Sequence, residues 1–210
     1  MNQILPDAAI PPSYPEAFPV VLRDREVARL EARNAELERL LQEALQEARR
    51  DPLTSLYNRR GLNEAWWMVQ GNYRLALLDL DGFKEINDAY GHAAGDVVLA
   101  TIAAQLRDYP IAARLGGDEF VVVGRMPGGP VRSWQVTLPQ GLSVLVTATV
   151  GMTQVLPGDL AGTLLRADAA MYRAKAAAPG SGVFYDPRLD HRLPVARPRV
   201  RLRDRVRGVR

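Results

Sequence analysis

The chain has 210 residues, 27 of them Lys or Arg and 24 Asp or Glu, giving a formal net charge of +3 and a composition that is 47% hydrophobic. That length allows one domain with attachments, and that apolar fraction is enough to bury a core. The absence of cysteine excludes a disulfide framework and any thiolate metal site, and it fits a reducing cytoplasm.

Residues 1–20 are rich in proline and read as an irregular segment. They lack a basic region followed by an apolar block, so no signal peptide is expected. Residues 21–50 contain neither Gly nor Pro and read as one long helix. Its apolar positions Val27, Leu30, Leu37, Leu41, Ala44 and Ala48 step by three and four, and Asn34 fills one gap in the seam. Such a stripe either lies on its own domain or pairs with a second copy. A lone Asn in the seam favours a two-stranded parallel coiled coil, hence a homodimer.

Pro52 ends that helix, and Asn63–Val69 reads as a second one. Tyr73–Phe83 is an apolar strand ending in Asp79 and Asp81. A short helix, a glycine-bounded loop and a helix from about Gly95 to Arg107 follow. Residues 112–124 read as a hairpin, 142–153 as a strand and 159–178 as a helix. Helices alternating with strands, plus one hairpin, predict an α+β fold. The expected form is a ferredoxin-like or palm-type sheet with flanking helices over residues 51–186, preceded by the coiled-coil helix. Residues 187–210 form a basic tail with nine arginines against two aspartates, which leaves the remainder of the chain mildly acidic. The tail is a candidate for weak contact with a polyanion such as nucleic acid or an anionic membrane.

Two core strands are each interrupted by carboxylates: Asp79 and Asp81 after the first, Asp118 and Glu119 at the tip of the hairpin "ARLGGDEFVVV". Neighbouring strands of the expected sheet would bring these places side by side. Carboxylates without thiolate or imidazole suit a hard cation such as Mg²⁺. With few protein ligands, such an ion usually takes the rest from a nucleotide's phosphates. Gly116 and Gly117 suit a tight turn with close approach to that nucleotide. Phe83 and Lys84 open a helix directly after the first carboxylates, where free N–H groups can meet phosphate oxygens. Lys84 adds a point charge there or is a solvated first-turn residue. Asn87 and Asp96 make an amide–carboxylate pair of the kind that reads guanine, although each alone is more often a cap or turn residue. His92, between glycines, reads as structural.

The stretches "DPLTSLYNRRG", "LLDLDGFKEINDAYGHAAGDVVL", "RLGGDEF", "TVGM" and "ADAAMYRAK" stand in the order and spacing of GGDEF domains. Over about residues 51–178 the chain resembles a diguanylate cyclase. The resemblance implies that two GTP molecules become cyclic di-GMP and two pyrophosphates where two domains face each other. It implies metal ligation (Mg²⁺ or Mn²⁺) by Asp79, the Leu80 carbonyl, Asp118 and Glu119, and catalytic roles for Asp118 and Glu119. It places Asn87 and Asp96 at the guanine and Phe83, Lys84 and Lys175 at the phosphates. A binding module without turnover is the alternative.

Three features depart from the family pattern. Pro110 stands where the inhibitory Arg-x-x-Asp motif that begins at Arg107 would place its Asp. Residues 124–141, "GRMPGGPVRSWQVTLPQG", are too short and too rich in Gly and Pro for the helix usual there. Pro179 falls where a phosphate-binding Arg would be.

Overall fold

The computed structural model describes residues 17–69 and 71–190. It divides into two units, one ending at Gln46 and one beginning at Glu47.

The first unit is helix α1, whose residues run Ala17–Ala48 and so carry over the unit boundary. It starts four residues before the expected position. Val27, Leu30, Leu37 and Leu41 are all exposed on it, together with Leu40. Arg33–Glu36 at 2.9 Å and Arg39–Glu43 at 2.6 Å pair along its surface. Exposed pairs of this spacing contribute only about 0.3–0.5 kcal/mol each. The apolar stripe therefore gains nothing by burial within the single chain.

The second unit comprises α2 (Arg59–Ala65), a 3₁₀ turn (Trp66–Met68), β1 (Arg74–Leu80), α3 (Phe83–Tyr90), α4 (His92–Leu106), β2 (Ile111–Gly116), β3 (Glu119–Gly124), β4 (Ser133–Thr137), β5 (Ser143–Gln154), α5 (Leu160–Ala177), β6 (Gly182–Phe184) and α6 (Pro187–Asp190). The strands run in the order β2-β3-β1-β5-β4, with β6 also paired to β5. The β1, β2, β3 and β5 pairings are antiparallel, which is the ferredoxin-like core. Strand β6 pairs with β5 in parallel, and Tyr57 makes an isolated parallel bridge to Ala113 of β2.

Alternation along β1 builds two cores. Ala76, Leu78 and Leu80 face the layer containing α4, with Ile102, and share that core with Phe120 and Trp134 from other strands of the sheet. Leu75 and Leu77 face the layer containing α2 and α5, with Val121, Leu62 and Met171. The sheet is thus covered on both sides. Asp79 and Glu119 continue the second alternation, so both belong to the side covered by α2 and α5.

Several boundaries differ from expectation. The second helix begins at Arg59, not Asn63, because Asn58 caps it by accepting the Gly61 N–H at 2.9 Å. Helix α4 begins at His92 rather than Gly95. The expected absence of a helix after the hairpin holds, and β4 takes its place. Trp134, Val136 and Leu138 fill the core there, and Trp134 Nε1 is buried without a hydrogen-bond partner among the described residues.

The folded unit runs on into the segment read as basic tail. Asp190 is buried and accepts from Arg173 Nε at 2.8 Å and from the Asp186 N–H at 2.8 Å. Burial alone would raise its pKa, but these bonds and the guanidinium charge hold it below the usual value. Asp190→Ala should cost about 2 kcal/mol near neutral pH. A depressed carboxyl stabilises above its unfolded pKa, and that contribution is lost as the pH falls through the folded value. Denaturant unfolding of both proteins from pH 7 to pH 2 should show the difference shrinking at the acid end. The rest of the tail lies outside the described residues, as do residues 1–16. No helix among the described residues is long and apolar enough to cross a membrane.

Candidate active site at the carboxylate end of the sheet

The hairpin between β2 and β3 turns at Gly116 (φ +146°) and Gly117 (φ +56°), beside a register shift between Arg114 and Gly116. The Gly116 value is nearly closed to residues with a Cβ, so the two glycines perform the role expected of them. The turn puts Asp118 next to the end of β1, where the Leu80 N–H donates to the Asp118 carbonyl at 3.2 Å. Asp79 and Glu119 are direct register partners across β1 and β3. The sheet therefore brings Asp79, Leu80, Asp118 and Glu119 together.

Their charges interact. Burial pushes the Glu119 carboxyl above its ordinary pKa, and the negative charges of Asp79 and Asp118 push it further. Arg59 opposes this, and Asp168 adds a smaller push upward. A divalent cation would relieve that repulsion, so the donor set of three carboxylates and one carbonyl fits Mg²⁺ or Mn²⁺. Among the described residues no three His, Cys, Asp or Glu side chains already form a metal cage.

Lys175 projects from α5 and places its Nζ 2.7 Å from Asp79 Oδ1. Asp168, seven residues earlier on the same face, is held above its ordinary pKa by burial, with Lys175 opposing. Sequence reasoning missed both Asp168 and Arg59. The signal for Asp168 is its spacing from Lys175 within "ADAAMYRAK".

Asp81 does something different. It accepts from Thr147 Oγ1 at 2.8 Å and Thr149 Oγ1 at 2.6 Å. Thr149 Oγ1 in turn accepts the Gly180 N–H at 3.2 Å. Asp81 thus ties the end of β1 to the loop after α5, where Pro179 lies. The guanidinium of Arg132 donates to the Gly180 carbonyl at 3.5 Å.

Helix α3 starts directly after this strand end, with Phe83 as its first residue and Lys84 exposed in its first turn. A Cβ at Gly95 would collide with Asn87 Oδ1 and lie 3.2 Å from Phe83 Cζ. The missing side chain lets α4 receive Asn87 and Phe83, and Asp96 stands exposed beside them. The amide and carboxylate expected to read guanine are therefore neighbours on an α3–α4 hairpin, at the end of the strand that carries Asp79.

An antiparallel ferredoxin-like sheet with carboxylates gathered at the end of its central strands is the frame of a palm-type nucleotidyl-transfer domain. The family model "Diguanylate cyclase, GGDEF domain" matches residues 48–127. The GGDEF domain of TpbB (YfiN) from Pseudomonas aeruginosa is a solved structure 34% identical to this chain. The match covers 68% of this chain and 97% of that one, with a TM-score of 0.54. The coiled coil and GGDEF domain of DgcB from Caulobacter crescentus, solved with c-di-GMP, is 27% identical. It covers 75% of this chain and 97% of that one, with a TM-score of 0.59. The diguanylate cyclase DgcP of Pseudomonas aeruginosa is 38% identical over 161 residues, 65% of this chain. This chain spans 24% of the length of DgcP. The chain belongs to the GGDEF-domain diguanylate cyclase family.

Proposed function

We propose that the chain is a diguanylate cyclase that condenses two GTP into cyclic di-GMP and two pyrophosphates across a homodimer. The observation that carries this reading is the convergence of Asp79, Asp118 and Glu119, with burial and then the neighbouring carboxylates raising Glu119, at the end of a sheet whose relatives are cyclases. In each half-reaction the 3′-hydroxyl of one GTP attacks the α-phosphorus of the other. The bond to the bridging oxygen breaks, pyrophosphate leaves, and the hydroxyl proton passes to solvent.

Asp79, the Leu80 carbonyl, Asp118 and Glu119 would hold the divalent cation. Such an ion supplies charge neutralisation at the triphosphate and acidifies the attacking hydroxyl. Asn87 and Asp96 orient the guanine, Phe83 and Lys84 face the phosphates, and Lys175 exchanges Asp79 for phosphate oxygens. The protein's share is positioning and electrostatics. A GTP-dependent enzyme of this kind works in the cytoplasm. With Pro110 in place of an inhibitory carboxylate, weak or absent product inhibition is expected at that position.

The exposed stripe of α1 supports dimerisation with a second copy in parallel register through residues 21–50. Asn34→Pro should break it, since proline in a helix interior costs about 3 kcal/mol. Sedimentation should show loss of the dimer and the rate per chain should fall. The arginines of residues 187–210 would add a weak, salt-sensitive contact with a polyanion.

Incubating the purified chain with GTP and Mg²⁺ and separating the products tests the main reading. Cyclic di-GMP formed at a rate per chain that rises with protein concentration supports it. GTP bound without product would favour a binding module, a reading that Pro179 at the loop after α5 supports by removing a guanidinium.

A further inference from the structure

We propose that Arg114 is a positioning residue that sets the pose of Asp118, and that Asp51 in turn holds Arg114. This rests on the role given to Asp118 above. Arg114 lies on β2 just before the register shift, and its side chain folds back under the turn it precedes. Its Nε–H and Nη2–H donate to the Gly117 carbonyl at 2.9 and 2.8 Å. Its Nη1–H donates to Asp51 Oδ1 and Oδ2 at 3.1 and 3.2 Å. One planar guanidinium thus grips a backbone oxygen on one edge and a carboxylate on the other.

The geometry of the peptide unit carries the effect onward. In a trans peptide the carbonyl, the next N–H and both Cα atoms share a plane. Fixing the Gly117 carbonyl therefore fixes the plane that contains the nitrogen and Cα of Asp118. The carbonyl of Asp118 is held on its other side by the Leu80 N–H at 3.2 Å. Both peptides flanking Asp118 are then tied. The turn needs this, because Gly116 and Gly117 have no Cβ to restrict them.

Asp51 is itself fixed. It accepts from Thr54 N at 2.9 Å and from Thr54 Oγ1 at 2.7 Å. The side chains of Arg114 and Asp51 are only 13% and 17% exposed, so the grip is shielded from water. The chain Thr54–Asp51–Arg114–Gly117 links the turn that follows α1 to the carboxylate expected at the reacting centre. Lysine could keep the ion pair, but a single ammonium cannot present a fork to the Gly117 oxygen.

The test uses the full chain with Arg114→Lys and Asp51→Asn. The amide that replaces the Asp51 carboxylate can still accept from Thr54 but lacks the charge that holds the guanidinium. For Arg114→Lys, kcat should fall roughly 10- to 100-fold, as for a misplaced reacting group. KM for GTP should stay within about threefold, because nothing that binds substrate has been removed. Asp51→Asn should have a smaller effect in the same sense. The double variant should be no worse than Arg114→Lys, since both act through one contact. Amide NMR of Arg114→Lys should show the Gly116, Gly117 and Asp118 resonances broadened or doubled, with those of Leu77 and Val150 unmoved.

An unchanged kcat with sharp, single turn resonances would overturn the proposal. So would losses that follow global unfolding equally in both variants. The resonances need no turnover. If the parent chain makes no cyclic di-GMP, the cyclase reading falls, and the NMR still decides whether Arg114 orders the turn.

Discussion

Asp118→Ala should remove cyclic di-GMP formation by roughly three powers of ten or more while leaving the fold intact. The size follows from the role proposed for it: a carboxylate holding a cation against a triphosphate would supply several kcal/mol of charge stabilisation in the transition state. The tolerance of the fold follows from the charges. Asp118 is partly exposed, and its charge is one of those that push Glu119 upward. Removing it relieves repulsion, so the Glu119 carboxyl should titrate closer to an ordinary glutamate in the cation-free protein. Three measurements belong together: product formation with Mg²⁺, the thermal midpoint, and the titration of the Glu119 carboxyl carbon by NMR. Retained turnover would remove Asp118 from the metal and catalytic role. An unmoved Glu119 would mean that the two carboxylates do not share one field. A further consequence is that Mn²⁺ with GTP should raise the thermal midpoint of the parent chain more than that of the variant, because the shift grows with the affinity for the bound ligand.

The site carboxylates are legible in the sequence because they interrupt apolar strands. Asp79 and Glu119 stand at the ends of the runs "LALLDL" and "EFVVV", and a register between two such strands leaves them one meeting place. The turn glycines are legible for the same kind of reason, since two adjacent glycines mark backbone that side chains disfavour. What is not legible lies in contacts between segments distant in the chain. Arg59, from the start of α2, and Asp168, from α5, enter the field of Glu119 only through tertiary packing. Asp81 reads as one more strand-end carboxylate beside Asp79, yet Thr147 and Thr149 claim both of its oxygens. Strand β4 is hidden because its segment is framed by proline and glycine, and the apolar alternation of Trp134, Val136 and Leu138 is short. The run "AWWMV" outweighs the cap signal of Asn58, which is why the sequence alone starts the second helix four residues late.

Gly151, within the stretch "TVGM", shows how a residue with no chemistry of its own controls the site. It lies on β5, paired with Leu77 on one side and Val183 on the other. A Cβ there would collide with the carbonyl oxygen of Ala167 and the amide nitrogen of Met171, and would approach Met171 Cβ to 2.8 Å. The first two are backbone atoms of α5, so no rotamer change relieves the clash. Helix α5 can lie against the sheet only because the strand has no side chain at this position. Gly151→Ala should therefore destabilise by about 3 kcal/mol. That corresponds to a fall in thermal midpoint of roughly 6–12 °C. Gly128→Ala is the control: none of the described residues lies within 4 Å of the added methyl, and the backbone there is not left-handed, so its midpoint should stay within a degree or two or rise slightly. The activity should fall further than the stability alone requires. Lys175 reaches Asp79 from α5 at 2.7 Å, and Asp168 sits on the same face. A helix displaced by one methyl carries both groups away from the carboxylates. Turnover measured well below the variant's own midpoint separates the two effects. If Gly151→Ala keeps full activity while folded, α5 tolerates the displacement and its contact with Asp79 contributes nothing to the reaction.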